Sequence, residues 1–403
     1  MQQNGASMRV RNMYAAAEVV LDFLTDPVWE ERRRNNDMCD FLLGNPHEFP
    51  LEGMTAALQR WSVPRDKNWF AYKMSETESQ EIIAGSLRQS HGMEFAAQDI
   101  LMTTGAFAGL SMVLGAITDP GDEIIYISPP WFFYAMMIVS YGGRAVRVPC
   151  HPLTFDLDLD AIRQAITPRT RGIIINSPNN PTGRVYPPET LQALGEMLET
   201  ASRENGQTIY LLSDEAYRKI IFDGRAYPSP AAYYANSFVI YTYGKTTLAP
   251  GQRMGYIALP PGMSEREMLR NALFATMVAG GYTFPNALLQ HALADIEKLS
   301  IDIPHLQVKR DRLAAALQDT GYELRVPEGT FYLLARSPLE DDREFVEMLA
   351  ENKVLCLPGS VFEMPGYFRI SLTANDLMIE RGIPAFAAAL VQARKVASNQ
   401  LAG

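Results

Sequence analysis

Lys245 ends the segment Tyr241-Thr242-Tyr243-Gly244-Lys245, directly after the apolar run Phe238 to Thr242, and Arg253 follows eight residues later. An amine at a strand end can serve as nucleophile or proton carrier, and a nearby guanidinium can grip an anion. Taken alone, such a lysine is ordinarily a solvated charge. Two other segments change its meaning. Asn179-Asn180-Pro181-Thr182-Gly183 follows the run Gly172 to Asn176, and Asp214-Glu215-Ala216-Tyr217 follows Ile209 to Ser213. Turn chemistry accounts for Asn-Pro and Thr-Gly, and an Asp after a strand is often a helix cap. Yet amide, carboxylate and amine then stand at the carboxyl ends of three different strands, and such ends converge on the crevice where open α/β sheets bind ligands. A fourth segment, Leu101 to Phe107, precedes an apolar helix reaching Ile117. The backbone N–H groups of Gly105, Ala106 and Phe107 would point from its N-terminus at an anion.

These groups need a scaffold that presents them at one edge. From about residue 100, short β-rich apolar runs alternate with longer helical patterns, the signature of crossover units. The runs are Glu123 to Ser128, Gly172 to Asn176, Ile209 to Ser213, Phe238 to Thr242 and Gly255 to Leu259. Their apolar character is nearly continuous, as in strands covered by helices on both faces. Pro187-Pro188-Glu189 opens a helical pattern with Leu191, Leu194, Met197 and Leu198 on one face, and proline at a helix start forfeits no hydrogen bond. After about residue 297 a helical stretch to Leu317 precedes the short runs Tyr322 to Val326, Phe331 to Ala335, Val354 to Leu357 and Tyr367 to Ser371. We expect a large domain over residues 58–296 and a small, discontinuous α+β domain built from 1–57 and 297–403. With no Ser/Gly linker between them, the two should share an extensive interface.

At 403 residues the chain exceeds the usual size of one core. Its 36 Lys and Arg against 46 Asp and Glu give a net charge of −10, which lacks the electrostatic footprint for nucleic acid or an anionic membrane. Cys39, Cys150 and Cys356 show no disulfide or zinc spacing and fit a reducing compartment. The five histidines show no metal spacing either. Glu18 and Asp22 interrupt the apolar stretch near the start, which therefore does not read as a signal peptide. No window approaches the roughly 18 uninterrupted apolar residues of a membrane helix. The expectation is a cytoplasmic protein acting on small molecules, with no nucleic-acid, membrane or metal partner.

Asn-Pro-Thr-Gly, Asp-x-x-Tyr, Lys and an Arg eight residues on, in that order, together resemble the class I/II aminotransferase family of pyridoxal-phosphate enzymes, fold type I. The likeness runs from Leu43-Gly44-Asn45-Pro46 to Phe368-Arg369-Ile370-Ser371. It implies an α/β fold: a mainly parallel, seven-stranded sheet between helices, plus a smaller α+β domain. It also implies pyridoxal 5'-phosphate as cofactor, an amino acid and a 2-keto acid as substrates, and a homodimer with shared active sites.

Residue by residue, the resemblance makes Lys245 the lysine that bonds the cofactor, an amine that must lose its proton near neutral pH. Asp214 would face the pyridine nitrogen and keep it protonated. Asn180 and the Tyr217 hydroxyl would donate to the ring oxygen, and Trp131 would stack on the ring. Gly105, Ala106 and Phe107, with Thr242 and Arg253, would form the phosphate cup. Tyr72, in Phe70-Ala71-Tyr72-Lys73, matches a tyrosine that reaches the neighbouring subunit's phosphate, although Thr77 and Ile82 stand where the family has glycine and arginine. Gly244 also departs from the family, which often has Ser or Ala before the lysine. Arg369 would take the substrate α-carboxylate bidentately, with Gly44 and Asn180 beside it.

Dicarboxylate-specific relatives place a cation in the phosphate-loop helix or ahead of a proline supplied by the partner. Here those places read Gly105 to Met112 and Thr276 to Pro285, without a cation. A neutral, hydrophobic or aromatic amino donor is therefore expected. A lyase eliminating a β-substituent from a sulfur amino acid would need the same residues, so it stays open. A non-catalytic regulator fits less well, because Lys245 is retained and the chain ahead of the large domain is neither long nor basic.

Overall fold

The computed structural model describes residues 5–402. Its centre is a seven-stranded sheet: β1 (Ile100–Thr103), β2 (Glu123–Ser128), β3 (Arg144–Pro149), β4 (Thr170–Asn176), β5 (Tyr210–Asp214), β6 (Ser237–Thr242) and β7 (Gly255–Ala258). The spatial order is β1-β7-β6-β5-β4-β2-β3. Only β7 runs antiparallel to its neighbours. Side chains alternate between the two faces, as a pleated strand requires. Ile125, Ile127, Ile173, Ile175 and Leu211 join one core with the helix Pro188–Asn205, whereas Ile124, Tyr126, Ile174 and Leu212 join another with the helix Ala106–Ile117. Burying such an isoleucine contributes roughly 1.5–3 kcal/mol. Both faces are covered, which is why the strands read as continuous apolar runs.

The five strands expected from the sequence are present within two residues of their limits, and two more join them. Arg144–Pro149 was hidden because it is an edge strand carrying Arg144, Arg147 and Pro149, residues that blunt an open edge. Ile100–Thr103 is only four residues long.

In the second α+β unit, β8 (Tyr332–Arg336) and β9 (Tyr367–Ser371) are antiparallel, and Leu357–Pro358 extends β9 on its other side. The run Val354 to Leu357 is split: Val354–Leu355 pairs in parallel with Cys39–Asp40, whereas Leu357 pairs with Arg369. Tyr322 to Val326 forms no strand beyond the bridge Leu324–Ala335, since Pro327 ends the run and cannot donate to a ladder. The N-terminal stretch expected in this unit divides. Cys39–Asp40 joins it, but the helix Met8–Ala15 packs on Tyr134–Ser140, and Met54 and Ala57 bury with Ile83 and Leu289 of the large domain. Glu52–Trp61 buries Met54 and Ala57 there, whereas Met8–Ala15 lies on the surface and buries none of its side chains. One continuous core spans Ile173, Tyr217, Phe331 and Phe368, so the large sheet and the small one share buried apolar packing. Among the described residues no helix is long and apolar enough to cross a membrane; the first four residues of the start that was read against a signal peptide lie outside them.

Candidate active site

The carboxyl ends of β1, β2, β4, β5 and β6 open onto one cavity of about 670 Å³, counting the part open to solvent; its lining includes Ala106, Phe107, Trp131, Asn180, Asp214, Tyr217, Thr242, Lys245 and Arg253. The convergence expected from strand ends is realised. Lys245 closes a single 3₁₀ turn after β6, and its Nζ lies 5.6 Å from the Tyr217 ring centre and 5.7 Å from that of Phe331.

Asp214, the last residue of β5, is 5% exposed. Burial pushes its carboxyl up to about 6, while the Tyr134 hydroxyl, the Ala216 N–H and the Lys245 charge pull the other way. Tyr134 donates to Asp214 Oδ2 at 2.6 Å, and Ala216 N–H donates to Oδ1 at 3.3 Å. Across the ladder Asn176 sits opposite Asp214; its Nδ2 donates to the Asp214 carbonyl at 2.8 Å and its Oδ1 accepts from Asn180 N–H at 2.7 Å. Asn176 thus fixes the two strand ends relative to each other.

Gly105 has φ +97°, open to glycine and strained for other residues, and a Cβ there would lie 2.6 Å from Arg253 Nη2 and 3.4 Å from Thr242 Oγ1. The helix N-terminus, the guanidinium and the hydroxyl therefore close on one point. Arg253 donates to the Pro250 carbonyl at 2.8 Å, and among the described residues no carboxylate pairs with it. Burial lowers its pKa, as for a cation without a counter-charge. A helix N-terminus beside such a cation fits a phosphate.

A second waiting cation lies opposite. Arg369, 2% exposed on β9, donates from Nη1 to Asn180 Oδ1 at 3.0 Å and from Nη2 to the Leu42 carbonyl at 3.1 Å. Its Nε has no hydrogen-bond partner and no carboxylate pairs with it among the described residues. A buried guanidinium held by neutral groups calls for an anion. Trp131 stands at the mouth, edge-on to Phe107 at 5.0 Å and to Tyr134 at 5.5 Å. Tyr72 is 85% exposed and rests on Phe284 at 4.6 Å, and neither lines the cavity. Gly44 lies against Tyr332: a Cβ there would be 2.4 Å from the Tyr332 hydroxyl. No cluster of metal-ligating residues occurs among the described residues.

A doubly covered sheet whose strand ends bring together a lysine, a buried carboxylate and an unpaired guanidinium beside a helix N-terminus, with a second buried arginine bonded to Asn180, defines the class. The chain belongs to the family of class I and II aminotransferases, whose profile matches residues 40–386. Members of this family depend on pyridoxal phosphate, and so this is a pyridoxal-phosphate-dependent aminotransferase of fold type I. It is 30% identical over 397 residues to a "Probable aspartate/prephenate aminotransferase" of Thermus aquaticus, covering 96% of this chain and 99% of the relative. It is 28% identical over 400 residues to the aspartate/prephenate aminotransferase of Thermus thermophilus, covering 96% and 100%. The crystal structure of an amino transferase from Eubacterium rectale superposes with a TM-score of 0.85 at 31% identity, covering 96% of both chains.

Proposed function

We propose that this aminotransferase takes the amino group of a neutral, hydrophobic or aromatic amino acid and passes it to a 2-keto acid. The observation that carries the substrate class is the aromatic mouth. Phe107, which lines the cavity, packs against Trp131 and Phe133. Lys73, one alternative source of a distal cation, pairs with Glu76 at 3.1 Å instead. An apolar side chain gains about 0.8 kcal/mol per buried methylene in such surroundings, whereas a distal carboxylate would be stripped of water without a partner.

When bound, the cofactor supplies an electron sink for the breaking Cα–H bond. Lys245 Nζ would take the proton from the substrate Cα and deliver it to the cofactor side rather than back to Cα. The Asp214 carboxylate would hold a proton on the ring nitrogen, and Tyr134, donating to Oδ2, keeps that carboxylate oriented. Because Asn180 Oδ1 accepts from Arg369, its Nδ2 is left to donate to the ring oxygen together with Tyr217. The N–H groups of Gly105, Ala106 and Phe107, with Thr242 and Arg253, would hold the phosphate, and Trp131 would supply an aromatic face for the ring. Arg369 and the loop at Gly44 hold the α-carboxylate. Lyase chemistry would use the same groups, and nothing in the geometry favours it.

A panel of amino donors read in single turnovers tests the substrate class: phenylalanine, tyrosine, leucine or methionine should exceed aspartate in kcat/KM by at least about tenfold. If aspartate leads the panel, as the names of the Thermus relatives would suggest for them, the neutral pocket is wrong.

We further propose a cytoplasmic homodimer in which Tyr72, so exposed in one protomer, reaches the partner's phosphate cup. Sedimentation at assay concentration should then give the dimer mass. Tyr72→Phe should weaken cofactor retention about tenfold with kcat changed far less. An active monomer would refute this arrangement.

A further inference from the structure

The Arg369 guanidinium lies 4.0 Å over the Tyr332 ring, and a ring face sets the tilt of a planar cation but not its rotation within that plane. Rotation is set by the two acceptors, Asn180 Oδ1 at 3.0 Å and the Leu42 carbonyl at 3.1 Å. Asn180 comes from the large domain and also serves the ring oxygen in the chemistry proposed above. Leu42 follows Cys39–Asp40, the strand that pairs with Val354–Leu355. Its carbonyl is therefore the acceptor supplied from Arg369's own side of the cavity.

A carboxylate holds that peptide in place. Asp40, 5% exposed, accepts from the Leu42 N–H on Oδ1 at 2.9 Å. Its Oδ2 accepts from Arg33 Nε at 3.1 Å, and His47 Nε2 stands 3.6 Å from the same oxygen. Arg33 belongs to the helix Pro27–Arg34, which is anchored by the buried Trp29. Tied at both oxygens, the carboxylate keeps one orientation. On either side the backbone bonds neutral groups: the Phe41 N–H donates to the Leu355 carbonyl at 2.9 Å, the Phe41 carbonyl accepts from the Ser371 N–H at 2.9 Å, and the Leu43 carbonyl accepts from the Thr373 hydroxyl at 3.3 Å. The Leu42 N–H between them is held by an ionised acceptor, and such a bond is about twice as strong as a neutral one. Leu42 is buried. Without Asp40 Oδ1 its N–H would be left unpaired, and turning the backbone to find another acceptor would carry the Leu42 carbonyl away from Arg369.

We infer that Asp40 is a positioning residue for recognition of the substrate α-carboxylate. Its Oδ1 fixes the Leu42 peptide, the Leu42 carbonyl occupies Arg369 Nη2, and Nε, which has no partner, is left for the anion. Arg33 acts one step further out by clamping Asp40. The inference rests on the role proposed above for Arg369. It ties the carboxylate pocket to the helix Pro27–Arg34, which lies ahead of the segment matched by the family profile.

The test uses the cofactor-loaded enzyme and the Kd of propanoate, an unreactive monocarboxylate too short to depend on the side-chain pocket, read from the visible absorbance at constant ionic strength. Asp40→Ala should raise this Kd about tenfold, while retention of pyridoxal phosphate stays within about twofold of wild type. Asp40→Asn keeps an oxygen for the Leu42 N–H but loses the ion pair with Arg33, and should raise the Kd only about threefold; Arg33→Leu, which removes the same clamp from its outer end, should match it. Arg369→Ala should raise the Kd at least about tenfold. If Arg369→Ala binds propanoate as wild type does, the role of Arg369 fails and this inference with it. If Arg369→Ala weakens binding while Asp40→Ala stays within about twofold of wild type, the inference alone is overturned. An Asp40→Asn variant as loose as Asp40→Ala would mean that the bond to the Leu42 N–H is not the contact that counts, and equal losses of propanoate and cofactor in Asp40→Ala would mean general distortion; either overturns it. Should Asp40→Ala not fold, Arg33→Leu decides, and a Kd equal to wild type there overturns the inference.

Discussion

Lys245→Ala lowers kcat for amino transfer by about 10⁴-fold or more, the upper range of what a positioned proton carrier supplies, and ends covalent attachment of the cofactor. The fold should survive. The turn Tyr243–Lys245 is held by Thr246 and Thr247, whose hydroxyls donate to the Tyr243 carbonyl at 3.2 and 3.0 Å, and not by the lysine side chain. The ammonium lies over two rings rather than in an ion pair, so its removal changes stability by no more than about 1 kcal/mol. The phosphate cup at Gly105 is untouched, and the variant should still bind the cofactor non-covalently. Borohydride reduction followed by peptide mass analysis separates the cases: wild type carries the cofactor on the peptide containing Lys245, and the variant carries none. Added primary amine should restore a small part of the lost rate. A label on another lysine, or a variant retaining more than about a hundredth of the activity, would place the chemistry elsewhere.

Lys245 and its companions were legible because each follows a strand whose apolar run is unmistakable, and in a parallel sheet the carboxyl end of a strand is a place rather than merely a position in sequence. Once Ile173 to Ile175 and Leu211 to Leu212 are read as adjacent buried strands, Asn180 and Asp214 must open onto the same edge. The departures have the opposite character. Asn176 reads as the last residue of a strand, and only the register that sets it opposite Asp214 reveals a clamp. Tyr134 begins the helix Tyr134–Ser140 and looks like one more aromatic after Trp131, yet it reaches a carboxylate 80 residues away. Their roles depend on contacts between distant segments, about which local spacing is silent.

The substrate side shows a different limit. The lack of a cation in Gly105 to Met112 is a fact of the sequence, but the position of Lys73 is not. Its pairing with Glu76 is a local, three-residue contact that competes with any excursion toward the cavity. Tyr72 likewise carries meaning only if a second subunit stands where its side chain points.

Asp214→Asn should divide stability from activity. In the cofactor-free protein Asp214 titrates near 6, against an ordinary 3.8, because burial disfavours the charge more than Tyr134, the Ala216 N–H and Lys245 restore it. The folded chain therefore binds this proton more tightly than the unfolded chain. Unfolding releases it between those two pH values, so the contribution of Asp214 to stability is present below about pH 4 and is lost as pH rises through 6. By pH 8 the buried charge costs the empty enzyme on the order of 3 kcal/mol. The amide carries no charge and can still accept from Tyr134, so cofactor-free Asp214→Asn should resist urea better than wild type at pH 8, with the difference shrinking toward pH 4. Loading with pyridoxal phosphate should reverse the order, because only the carboxylate faces the protonated ring nitrogen with an opposite charge. Wild type then gains more in Tm than the variant, while the variant loses amino transfer by about 10³-fold, since an amide cannot keep the nitrogen protonated. Urea unfolding at pH 4, 6 and 8, with and without cofactor, reads both halves. A cofactor-free variant weaker than wild type at pH 8 would mean that Asp214 serves the fold rather than opposing it, and the view of this carboxylate as a charge held in waiting for the cofactor would fail.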